Sequence, residues 1–153
     1  MKKYSKIIFV CDSGTARAMM AEAIMKEYTL EVPMEIESRG LVVLFPEPVN
    51  QKVEAVLISN GIDPQGQMSR QLEPEDLKPE NLIIVMEEVQ RQKICSDYAG
   101  ISDVDIEVLT QLVGDELEII DPYGGTLQAY GLCYETLNKT IKKLVNLINE
   151  GEK

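Results

Sequence analysis

The stretch that most constrains this chain runs from Ile7 to Glu22, I-I-F-V-C-D-S-G-T-A-R-A-M-M-A-E, where an apolar run, a loop of small residues and a helical pattern follow without a gap. Ile7 to Val10 is continuously apolar, the pattern of a strand covered on both faces in a parallel sheet. From Ala16 onward, Met19, Met20, Ala23 and Ile24 recur on one helical face, predicting an amphipathic helix. A loop entering a helix presents unpaired backbone N–H groups and the positive end of the helix dipole, a natural seat for a tetrahedral oxyanion. The residues offering that seat are Asp12, Ser13, Gly14, Thr15, Ala16 and Arg17. Cys11 has two readings: an inert buried thiol, or a thiolate held beneath those donors and nucleophilic at neutral pH. The order of strand, Ser-Gly-Thr loop and helix favours the second. Arg17 can then grip two anionic oxygens with its planar fork.

The chain has 153 residues, enough for one domain with a sizeable core. Its formal net charge of −11 argues against partners recognised by general electrostatic attraction to anions, so neither nucleic acid nor a membrane surface is expected. No run of 18 apolar residues occurs, and the opening M-K-K-Y-S-K leads into a short strand and not a signal-peptide core, so a cytoplasmic location is expected. Cys11, Cys95 and Cys133 form no close pair and are read as reduced thiols. With no histidine in the chain, Cys-His and Ser-His-Asp arrangements and histidine metal sites are excluded.

Strands are expected at Met34 to Ser38, Leu82 to Met86 and Val104 to Leu109. Helices are expected at about Val49 to Asn60 and Glu87 to Tyr98, with a short turn at Pro74 to Leu77. A last helix should bury Leu127, Tyr130, Tyr134, Leu137, Ile141, Leu144 and Ile148. Such alternation means a parallel sheet with helices on both faces, and right-handed crossovers set the loops after strands on one rim. Ligands in these sheets bind outside the carboxyl ends of the strands, so Cys11 and Asp121 should share that rim. The apolar loop Leu41 to Pro48, with Leu44 and Phe45, either packs on the core or lines a pocket. Asp121 is either a turn carboxylate, as Asp-Pro suggests, or the acid that protonates a departing oxygen. Tyr123 is a pocket wall or a packing residue.

The segments C-D-S-G-T-A-R, S-R-G, N-G-I-D, S-R-Q-L, L-I-I-V-M and D-P-Y-G-G, in this order, resemble the low-molecular-weight protein tyrosine phosphatases over nearly the whole chain. The expected fold is therefore α/β, one domain over residues 1–153, with a four-stranded parallel sheet in the order 2-1-3-4 and the phosphate loop after strand 1. The resemblance implies that Cys11 attacks phosphorus to give a phosphocysteine, that Arg17 binds the phosphoryl oxygens, and that Asp121 is acid first and base second. Tyr123 would line the slot. No metal or cofactor is implied; the implied partners are phosphorylated proteins, with inorganic phosphate or sulfate able to occupy the loop.

The departures from that family carry expectations of their own. The family usually has asparagine where Gly14 stands, and glycine reaches a left-handed conformation more easily while giving up side-chain hydrogen bonds. Ala18 stands where the family has a hydroxyl that steadies the thiolate, so a higher Cys11 pKa and slower phosphoenzyme breakdown are expected. Ala16 replaces a second loop cysteine, leaving no neighbour to trap oxidised Cys11 as a disulfide. Thr15 and D-P-Y-G-G resemble members that act on phosphoarginine, which makes a protein arginine phosphatase the alternative. Related arsenate reductases relay a disulfide through closely spaced downstream cysteines, which Cys95 and Cys133 do not form. A relative that binds phosphoproteins without turning them over is a further alternative.

Overall fold

The computed structural model describes residues 3–64 and 66–150. The expectations for Met1 and Lys2 at the chain start lie outside those residues. Four strands, β1 (Lys6–Cys11), β2 (Glu35–Gly40), β3 (Asn81–Val85) and β4 (Asp105–Val108), form one parallel sheet in the order β2-β1-β3-β4. The helices are α1 (Arg17–Met25), α2 (Gln51–Ser59), α3 (Glu88–Asp97), the short α4 (Leu109–Leu112) and α5 (Leu127–Glu150), with a 3-10 turn at Pro74–Asp76. Among the described residues, no helix is long and apolar enough to cross a membrane.

Alternation along the strands divides the interior into two layers. Ile7, Phe9 and Cys11 of β1 face the layer filled by α1, α2 and α5, whereas Ile8 and Val10 face the layer that contains Ile94 of α3. The four paired residues Ile7 to Val10 of β1 and Leu82 to Val85 of β3 are all buried, so both faces of these strands are covered, which is why their sequences are apolar without a period. The nucleophile candidate thus ends a central strand on the larger core.

Leu109, expected to end the fourth strand, instead starts α4, and two of the expected helices differ in burial. α1 is not amphipathic: all nine of its residues are buried, Arg17 and Glu22 included, because α5 and β2 cover the side that a surface helix would give to water. Glu22 tolerates burial through Ser38 Oγ, which donates at 2.7 Å, and Lys26 Nζ at 2.6 Å. In α5 the expected face is buried from Tyr130 to Leu144, with Cys133 and Val145 added, but Leu127 at the first turn is 53% exposed, beyond the reach of the core.

The rim at the carboxyl ends of the strands holds the switch in strand order, since the chain leaves β1 toward β2 on one side and returns through β3 on the other. The residues following β1 and β3 therefore meet.

Candidate active site

The turn after β1 is shaped by two glycines that touch. Gly14 has φ +74°, and a Cβ placed on it would stand 2.8 Å from the backbone N of Gly40; one on Gly40 would stand 2.7 Å from the carbonyl of Ser13. The S-R-G segment is thus the wall against which the loop folds. The loop is then stitched by main-chain bonds from Leu41 N to Cys11 O at 2.9 Å, Val42 N to Asp12 O at 3.1 Å and Asn50 N to Thr15 O at 3.0 Å. Ser13 Oγ and Thr15 Oγ1 share a hydrogen bond of 2.9 Å. This backbone stitching, not a side chain at position 14, holds the curve.

Inside the curve, the N–H groups of Gly14, Ala16 and Ala18 converge on Cys11, whose residue is only 3% exposed. Burial pushes the thiol above its ordinary pKa, while those three donors and the Arg17 charge pull it down.

Arg17 is 2% exposed, and two of its guanidinium N–H groups are held by the neighbouring loops. Nη1 donates to Ile119 O at 2.7 Å, and Nη2 lies 2.7 Å from Glu87 Oε2 and 3.6 Å from Asp121 Oδ2. Two N–H groups are used at hydrogen-bond distance, so Nε–H and one hydrogen on each Nη remain for oxyanions. Asp121 Oδ1 accepts from Tyr123 N at 3.0 Å as a turn residue would, while Oδ2 faces Arg17.

These groups surround a cleft of about 540 Å³. Cys11 and the side chains of Asp12, Ser13 and Thr15 line its floor and near wall, with Asp121 and Tyr123 opposite. Gly14 lies behind the floor and contributes its N–H alone. Tyr123 is 85% exposed at the mouth, a wall and not a packing residue.

Leu44 and Phe45 do not line this cleft. They are 88% and 66% exposed and border a separate groove with Arg39 and Arg70. The cause is local: Val43 N donates to Gln71 Oε1, Gln71 Nε2 donates to Leu41 O, and Glu47 pairs with Ser69, so the loop turns its tip away. Glu47, Pro48 and Asn50 form the wall instead.

Sequence reasoning also missed Glu87 and Gln90. Together they form a capping box at the start of α3, with Gln90 Oε1 accepting from Met86 N and Glu87 N at 2.9 and 3.0 Å. Gln90 Nε2 reaches across to Asp12 Oδ1 at 3.2 Å. The signal was their position directly after an apolar strand on the ligand rim.

A family model for low molecular weight phosphotyrosine protein phosphatase matches residues 6–153. The low molecular weight protein-tyrosine-phosphatase PtpB of Staphylococcus aureus is 32% identical over 143 residues, covering 94% of this chain and 99% of that protein. Among solved structures, the YwlE arginine phosphatase from Geobacillus stearothermophilus superposes with a TM-score of 0.88 at 25% identity, covering 97% of this chain and 95% of that one. A low molecular weight protein tyrosine phosphatase from T. tengcongensis gives 0.84 at 31% identity, covering 92% and 97%.

Proposed function

We propose that this chain, which belongs to the low molecular weight phosphotyrosine protein phosphatase family, acts as one hydrolytic domain on phosphotyrosine in protein substrates, with Cys11, Arg17 and Asp121 in the reacting positions. The observation that carries the assignment is Arg17: a buried guanidinium beside Asp121, at the helix end whose N–H groups point at Cys11. Nothing in core packing requires a cation there; a tetrahedral oxyanion does.

In the first step Cys11 Sγ attacks phosphorus in line with the departing phenolic oxygen. The S–P bond forms, the P–O bond breaks, and Asp121 supplies the proton that the leaving oxygen takes up. Thiol plus phosphate dianion and thiolate plus monoanion carry the same proton count, so a thiol raised by burial reaches the reactive form by passing its proton to bound substrate. The N–H groups of Gly14, Ala16 and Ala18 and the free donors of Arg17 hold the equatorial oxygens as charge shifts. In the second step Asp121, now a carboxylate, takes a proton from water as it attacks phosphorus, releasing phosphate and the Cys11 thiolate. Inorganic phosphate or sulfate fits the same loop and should inhibit competitively. A cytoplasmic location agrees with three unpaired cysteines.

A specific observation favours phosphoarginine as a second reading. The cleft carries the carboxylates of Asp12 and Glu47 beside Thr15, and Arg17 is its lining cation. A guanidinium between the phosphoryl group and that rim would find opposite charge where a phenyl ring finds none. The experiment compares wild type and Cys11→Ser on paired phosphotyrosine and phosphoarginine peptides. Faster turnover of phosphotyrosine, abolished by the serine, supports the proposal; faster turnover of phosphoarginine transfers it to the second reading; activity surviving in Cys11→Ser contradicts both.

A further inference from the structure

Next to the catalytic cleft lies a second cavity of about 490 Å³, set between the loop that carries Asp121 and the first turns of α5. Its lining is mainly apolar, with Leu117, Ile119, Ile120 and Pro122 from the loop and Ala129 and Leu132 from the helix. Leu117, Ile120 and Leu132 are 82%, 83% and 58% exposed. On a chain with a net charge of −11, large apolar side chains gathered in a concavity mark a binding surface; scattered single ones would not. The catalytic reaction leaves this cavity unused.

Its position indicates the occupant. Asp121 and Tyr123 are walls of both cavities, so a chain whose phosphorylated side chain enters over Cys11 passes directly from one to the other across that shared wall. A second copy of this protein is a poorer occupant, because each copy brings the same −11 charge to the contact. We propose that this groove is a docking subsite for an apolar side chain of the phosphoprotein substrate, placed within about three residues of the phosphorylated one. The assignment rests on the phosphatase reading above and adds a sequence preference to it.

The test uses phosphotyrosine peptides that carry leucine or serine at each of the three positions on either side, with p-nitrophenyl phosphate as a substrate too small to reach the groove. Leucine at one or more positions should raise kcat/KM by about tenfold over serine, the discrimination that an apolar pocket achieves. Leu117→Ser and Leu132→Ser, both on exposed residues, should remove most of that advantage while leaving p-nitrophenyl phosphate hydrolysis within about twofold of wild type. Hydrolysis of p-nitrophenyl phosphate with no leucine preference at any position overturns the groove assignment alone, as does a preference that persists in both variants. Dimerisation in sedimentation that the two variants abolish gives the groove to a second copy and overturns the assignment as well. Failure to hydrolyse any of these substrates overturns the phosphotyrosine reading and the groove together.

Discussion

At the scale of single residues, Gly14 and Gly40 decide whether the loop exists. Replacing Gly14 by alanine asks a side chain to adopt φ +74° and to stand 2.8 Å from Gly40 N. The strain should cost about 1–3 kcal/mol of stability and remove most activity, measured by thermal melts and steady-state turnover on the same preparation. Asparagine tolerates the left-handed conformation better than alanine and should lose less of both. Ala18 acts differently. Its N–H already points at Cys11, so Ala18→Ser places a hydroxyl beside the thiol in a core site that otherwise changes little. The midpoint of the pH dependence of Cys11 alkylation should move down, and turnover should rise; an unchanged midpoint contradicts the account of what Ala18 lacks. The sequence made Gly14 legible as a left-handed candidate, but the contact with Gly40 was not, because residues 26 apart meet only through strand pairing.

At the scale of elements, β1 with its loop and α1 was readable because its constraints are local: an apolar run, small turn residues and a helical repeat. The burial of α1 on every side was not readable, since it depends on α5 arriving from more than a hundred residues away. The same holds for the Asp121 loop, whose approach to Arg17 is fixed by Ile119 O and by packing on α5. Leu44 and Phe45 border a groove other than the Cys11 cleft for a related reason: hydropathy shows that a loop is apolar, but its hydrogen bonds to Gln71 and Ser69 decide which way it faces. The start of α3 contributes the anchor that sequence reasoning overlooked. Removing Glu87 leaves the buried Arg17 guanidinium without its 2.7 Å partner, and Glu87→Ala should lose about 3 kcal/mol of stability together with tenfold or more in kcat/KM. Glu87→Gln keeps a hydrogen-bond acceptor and should fall between alanine and wild type. Equal activity in all three would mean that Arg17 is oriented without Glu87.

At the scale of the whole molecule, the parallel sheet follows from alternation of strands and helices, its strand order is the one that the family resemblance implies, and the switch between β1 and β3 puts the site where such sheets hold ligands. The molecule's response to alkali reports on the packing beneath that site. Cys133 lies under the Asp121 loop, and burial pushes its thiol from 9.0 up to about 11. The folded state therefore holds this proton more tightly than the unfolded chain, so the associated stability is full below pH 9 and is lost as pH rises through about 11. The loss should reach about 2–3 kcal/mol, and Cys133→Ala should show a shallower alkaline decline in denaturant midpoint. A decline of the same steepness would place Cys133 in contact with water.

The central claim is that Cys11, cradled by main-chain N–H groups beside Arg17, becomes covalently phosphorylated during turnover, with Asp121 moving the protons. Asp121→Asn turning over p-nitrophenyl phosphate tests it most directly, because this leaving group needs little help to depart whereas water still needs a base, so the intermediate accumulates. Mass spectrometry of the rapidly quenched protein should find a phosphoryl group on the peptide containing Cys11. A quenched protein with no phosphoryl group, or with one on any other residue, would contradict the account.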